Sequence, residues 1–146
     1  MNRYRASKGL SRLPLSASLT RVAQAHLADL EANYRPGARC NMHSWSDRGD
    51  WSPCCYTPDH AEATCMWDKP KEISGGLYGA PGYEIVAYYS SRITPETALE
   101  LWEQSQGHRA MVLNRGIWAD NTWRAMGAAI GRHYAVVWFG ESPDPA

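Results

Sequence analysis

Three side chains far apart in the chain, His43, Glu84 and His108, are of the types that do chemistry together. Two imidazoles and a carboxylate can hold zinc and leave one coordination position open for water. The same trio without a metal can orient an imidazole as a general base. Zinc binding through neutral imidazoles would weaken as the pH drops through about 6.5. His60, Glu103 and Asp59 stand behind these three as further candidates, and Ser105 precedes His108 closely enough to be considered as a nucleophile. No G-x-S-x-G, phosphate-binding glycine loop or H-E-x-x-H occurs, so any site must be assembled from distant residues. His26 lies on the apolar stripe of a helical segment. With no second ligand at helical spacing, it reads as a satisfied core histidine.

The function classes that composition excludes are few but clear. Net charge is +0 and the pI is near 7.0, with arginines scattered along the chain, which speaks against a nucleic-acid partner. No apolar run is long enough for a membrane span. The length of 146 residues suits one domain, taken as 1–146 and as a monomer. One Phe against 7 Trp and 8 Tyr favours half-buried walls, because Trp and Tyr join an apolar body to a polar handle. The chain starts in a polar, helix-like stretch with no leader, so a signal for export is expected to have been removed.

All 4 cysteines fall in residues 40–67, a stretch broken by Gly49, Pro53 and Pro58 and too aperiodic for a long helix or strand. Cys40, Cys54, Cys55 and Cys65 lack the paired spacing of a zinc site. A bond between the neighbours Cys54 and Cys55 would strain the peptide between them. Two arrangements remain open: Cys40–Cys54 with Cys55–Cys65, or Cys40–Cys55 with Cys54–Cys65. Either predicts an ordered, stapled loop and an oxidising compartment, secreted or periplasmic.

The elements that must position these groups follow from local signals. Residues 2–8 form a short polar helix stopped by Gly9, and Leu10, Leu13 and Leu15 clamp the next turn to the core. Ser16 or Ser18 caps a second helix with the stripe Leu19, Val22, Ala23, Leu27, Leu30. Residues 69–81, with three glycines, read as loop. Residues 82–89 read as a strand on which Glu84 shares a face with Val86 and Tyr88. That face is either solvent-facing or apolar, and if apolar its carboxylate needs a partner. Thr94-Pro95 starts a helix, Gly107 breaks it, and His108 opens a further turn. Residues 124–130 and 134–139 make a hairpin, and the tail after Glu141 is expected to be loose. The order implies an α+β domain with helices over an antiparallel sheet.

The pieces HSWSDRG, GYEI, LWEQSQGHRAMVLN and MGAAIGRHYAVVWFG, with the N-terminal helical segment, resemble the CAP superfamily, also called the SCP/PR-1-like or cysteine-rich secretory protein family, in its bacterial form. The resemblance implies a three-layer α-β-α sandwich with a central antiparallel sheet, secretion, and a shallow cleft that binds a divalent metal in some members. Protease proposals and lipid or sterol carriage are further associations of the family. By that likeness His43 and His108 are the cleft histidines and Glu84 stands for the glutamate of a G-E-N motif, with Ile85 in place of its Asn. Ser105 takes the place of the second glutamate. Trp45, Trp102, Glu103 and Ser105 are then expected to line the cleft. The expected occupant is a divalent cation, zinc foremost, or a small polar ligand; a hydrolase and a purely structural His/Glu network are the alternatives.

Overall fold

Ser16 Oγ accepts a hydrogen bond from the Leu19 amide at 2.9 Å and so starts helix α2 (Ala17–Asn33), which carries the apolar stripe expected of it. The computed structural model describes residues 1–37 and 39–146. Before α2 comes α1 (Asn2–Ser7), docked through the buried Arg5, whose Nη1 donates to the Val112 carbonyl at 2.5 Å and to Asn114 Oδ1 at 3.0 Å. Leu13 is buried, but Leu15 is 75% exposed and clamps nothing; its backbone instead pairs beside Met126.

Three strands form the sheet, β1 (Gly82–Tyr88), β2 (Ala125–Ile130) and β3 (Tyr134–Gly140), in the order β1-β3-β2 and antiparallel throughout. Glu84 sits opposite Trp138, which in turn sits opposite Gly127. The two-residue period divides the sheet into two faces. Val86, Val136 and Trp138 join Leu19, Val22 and Leu30 of α2 in one core. Ile85, Val137 and Phe139 join Ala98, Trp102 and Val112 in the other. The last three belong to α5 (Pro95–Gln104) and α6 (Gln106–Val112), so helices cover both faces and the α-β-α sandwich is present.

At Gly127 the backbone of α2 comes close against the sheet. A Cβ there would lie 2.1 Å from the Leu19 carbonyl carbon and 2.2 Å from the Thr20 nitrogen. Only glycine permits that approach.

Three local expectations are corrected. Residues 69–81 are not all loop: α4 (Lys69–Ile73) follows α3 (Ala63–Trp67) and starts with a proline in its first turn, where a missing N–H costs nothing. The break between α5 and α6 falls at Ser105, in an extended conformation, and Gly107 lies inside α6. The tail is tied down. Asp144 accepts from Ser16 Oγ at 2.5 Å, the Ser18 amide at 2.8 Å and Ser18 Oγ at 2.9 Å, and the Ser142 carbonyl accepts from the Tyr78 hydroxyl at 2.7 Å. Burial pushes the Asp144 carboxyl up, but these bonds and the Ala146 amide outweigh it and hold it at about 2.

Candidate functional site

Residues 40–67 are held against the body by covalent and polar ties. The disulfides are Cys40–Cys55 and Cys54–Cys65, the second of the two arrangements left open by spacing. Trp45 and Cys54 exchange backbone hydrogen bonds of 2.8 and 3.0 Å, and the Asn41 amide donates to the Tyr56 carbonyl at 2.9 Å. The loop is thus a narrow doubled-back ribbon with His43 on its first arm, between the Asn41–Tyr56 and Trp45–Cys54 pairings. Asp29, buried on α2, accepts from the Ser46 amide at 2.8 Å and from Ser46 Oγ at 2.5 Å, which fixes the ribbon to the helix. Lys69 Nζ donates to the Ser52 carbonyl and, at 2.5 Å, to Glu72 on α4.

Glu84 faces α2, not solvent, and is only 2% exposed. A lone carboxylate there would be very costly. Both of its oxygens are bonded: Oε2 to His26 Nδ1, in a short contact, and Oε1 to His43 Nδ1 at 2.9 Å. Burial pushes its carboxyl up, but the charge and hydrogen bonds of His26 and the bond from His43 outweigh this and hold it below the usual glutamate range.

His26 is a core histidine, as its place on the stripe implies, and it also serves the site. Its other nitrogen, Nε2, meets the Ser44 carbonyl at 2.9 Å, so both ring nitrogens face acceptors. Two acceptors require a proton on each side of the ring or one shared with the carboxyl, and His26 with Glu84 forms a dry, charge-balanced pair. The imidazole also lies flat on Trp45, with ring centroids 4.4 Å apart.

With its Nδ1–H given to Glu84, His43 in its neutral form keeps Nε2 as a free acceptor. His108 carries the opposite tautomer. Its Nδ1 is buried with no partner among the described residues. An orphaned N–H there would be less tolerable than an orphaned lone pair, so the hydrogen belongs on Nε2. Burial, and then the charge of His43, hold the His108 imidazolium below the usual histidine range, so the ring is neutral near pH 7.

His43, Glu84 and His108 all line one cavity of about 490 Å³ at the outer edge of β1. The ribbon also supplies Tyr56 and His60 to it, while Ser105 comes from the α5–α6 break. His60 Nδ1 and the Tyr56 hydroxyl share a hydrogen bond of 2.6 Å. Trp67, Tyr83, Ile117 and Trp118 add an aromatic and apolar part to its lining. Sequence reasoning missed His26 and this aromatic part. The signal for His26 was available: a polar residue on a buried helix stripe and a carboxylate on an apolar strand face each need a partner.

Of the expected walls, only Ser105 lines this cavity. Trp45 lies on the far side of the ribbon, packed between His26 and Trp51, and borders a different hollow. Its indole is too large and apolar to be left facing water when the core beneath the ribbon needs filling. Trp102 points from α5 to the opposite face of the sheet, beside Ala98 and Val137. Glu103, one residue on around the helix, is half-exposed outside the cavity, and its carbonyl accepts from Arg109. Asp59 is exposed and bonds to Thr57.

The fit to a divalent cation is poor. Both Glu84 oxygens are already bonded to histidines, and among the described residues no group of three or more His, Cys, Asp or Glu could hold a metal ion. Of the two imidazole lone pairs, that of His108 Nδ1 is buried, which leaves that of His43 Nε2.

The profile of the cysteine-rich secretory protein family, CAP, matches residues 1–138. Among solved structures, the chain is similar to a cysteine-rich secretory protein from Staphylococcus aureus subsp. aureus Mu50. The TM-score is 0.60 and identity 18%, over 97% of this chain and 36% of that one. It is equally similar to an extracellular protein containing an SCP domain from Bacillus anthracis str. Ames, with TM-score 0.60 and identity 18%, over 97% of this chain and 37% of that one. The chain therefore spans little more than a third of the length of either structure. No curated protein matches it.

Proposed function

This chain belongs to the cysteine-rich secretory protein family, and from that premise we propose that it is an exported binding module whose cleft receives a small, uncharged polar ligand between His43 and His108. The observation that carries this reading is the division of labour at Glu84. One imidazole, His26, balances its charge in the dry interior; the other, His43, is oriented by it toward the cavity. The carboxylate is thereby a positioning group and no ligand. Export is supported by the two disulfides, which persist in oxidising compartments, and no helix among the described residues is long and apolar enough to cross a membrane.

The reading is tested by following the histidine ring signals of the protein by NMR while a library of uncharged small polar compounds, and separately zinc, is added. Compounds that shift His43 and His108 together, and that bind nothing in the doubly substituted His43→Ala, His108→Ala protein, support it. Saturable zinc binding at micromolar concentration with loss of the Glu84–His43 bond would replace it by a metal site.

One observation favours a second reading. A carboxylate bonded to an imidazole whose far nitrogen is open is a general-base arrangement, and Ser105 lines the same cavity. No hydrogen bond joins Ser105 Oγ to either histidine among the described residues, which is why binding ranks above hydrolysis. Turnover of peptide or ester substrates that disappears in His43→Ala would reverse that ranking.

A further inference from the structure

The cleft is lined by two unlike sets of side chains, and together they specify a ligand more narrowly than polarity alone. In the polar set the two imidazoles are complementary. His43 offers an acceptor at Nε2, because Glu84 holds the hydrogen on Nδ1. His108 offers a donor at Nε2, because its Nδ1 is buried without a partner. A group that meets both must donate and accept at once. A hydroxyl does so; a carboxylate or phosphate oxygen only accepts, an ammonium only donates, and a metal ion requires a lone pair from each ring.

No lysine or arginine is among the described residues that line the cavity, and the only carboxylate is the fully engaged Glu84. Nothing there would neutralise an ionic ligand after its desolvation. In the aromatic set Trp67, Tyr83 and Trp118 are half-buried, with Tyr83 packed between the others, 5.9 Å from Trp67 and 5.2 Å from Trp118 between ring centroids. Half-buried Trp and Tyr beside a polar site suit a partner that is apolar on its face and polar at its edge. A pyranose ring has that character: its axial C–H bonds make an apolar face and its equatorial hydroxyls a polar rim.

We infer that the ligand of this cleft is a neutral saccharide, one of whose hydroxyls bridges His43 Nε2 and His108 Nε2 while a pyranose face rests on the Trp67–Tyr83–Trp118 wall. The cavity of about 490 Å³ lies within the range of small-ligand sites, so the occupant is a short oligosaccharide or the end of a longer one. This inference rests on the proposed uncharged-ligand reading and names its chemical class.

The test uses the whole chain with its disulfides intact. Cellobiose, maltose and N,N′-diacetylchitobiose are titrated in turn while indole N–H and imidazole signals are followed by NMR. Their permethylated forms, which keep the ring but lose every hydroxyl donor, serve as controls. The expected result is saturable shifts at Trp67 or Trp118 and at both His43 and His108 with at least one free sugar. The permethylated form should bind about tenfold more weakly, a loss set by the hydroxyl bridge. Trp118→Ala should weaken binding by a similar factor; because that variant can lose stability, the shifts in the unaltered protein decide the matter. Equal binding of free and permethylated sugars overturns the hydroxyl bridge. If no sugar shifts the histidines while an uncharged peptide such as N-acetyl-tyrosyl-serine amide does, the saccharide inference fails and the cleft reading stands. If nothing uncharged shifts them, both fail.

Discussion

The imidazole of His26 and the indole of Trp45 are stacked face to face, 4.4 Å apart and inclined by only 8°. One comes from α2 and the other from the disulfide-bonded ribbon, so this contact docks the ribbon onto the helix. It also orients His26 toward Glu84, and through Glu84 it sets His43. The ribbon therefore both carries one cleft histidine and locks the buried pair that orients it. Trp45→Ala should remove this support and destabilise the protein by about 3–5 kcal/mol in urea or guanidinium unfolding. It should also loosen His43, read as broadening of its ring signals.

Glu84→Ala leaves the His26 ring facing a void where its counter-charge was. Breaking a buried pair from one side costs about 3–5 kcal/mol. Replacing His26 and Glu84 together by apolar residues should cost less than the sum of the single changes, because no buried charge is left behind. A double-mutant cycle by denaturant unfolding checks this; strict additivity would mean that the two do not form a coupled pair.

His108 titrates below the usual histidine value, with burial as the larger cause and the charge of His43 as the smaller. In NMR titration its apparent pKa should lie under 6.5, the reference value, and rise part of the way back in His43→Gln. The sign for stability follows. A histidine harder to protonate when folded contributes fully above about pH 6.5, and the contribution is lost as the pH falls from there toward its folded pKa. Glu84 and Asp144, both held below the usual carboxylate range, add losses at lower pH.

Asp144 anchors the tail to the start of α2 with a carboxyl at about 2. Asp144→Ala should cost about 1 kcal/mol at neutral pH, the size of a lost helix cap. The stabilisation is present above about pH 4, where the carboxyl is ionised folded and unfolded, and is lost as the pH falls through about 2. The difference in melting temperature between parent and variant should therefore shrink below pH 4 and vanish near pH 2. A difference unchanged by acid would exclude the charge as its cause.

Unreduced peptide mapping should return Cys40 joined to Cys55 and Cys54 joined to Cys65. Each closed loop contributes about 2–4 kcal/mol. Replacing one pair by serines should raise hydrogen exchange in residues 40–67 first, while β1 and β3 stay protected, because the sheet has its own cores on both faces.

Much of the framework was legible in the order of residues, because helix caps, turns and periodic burial are local. Ser16, Thr94 and the continuous apolar run of residues 134–139 announce their own elements, and the motif pieces around His43 and His108 announce the family. His43, Glu84 and His108, far apart in sequence, line one cavity. Three things only the tertiary structure decided. Which cysteines pair depends on how the ribbon doubles back, since both arrangements have similar spacing. Which tryptophans line the cleft depends on the side of the ribbon or helix each leaves from, and this sent Trp45 and Trp102 into the cores and brought Trp67 and Trp118 forward. What Glu84 does depends on His26, 58 positions away in sequence and in direct contact in space. Local pattern can show that a buried carboxylate must have a partner. Only packing brings the partner to it, and here it brings two, His26 and His43, one to each oxygen.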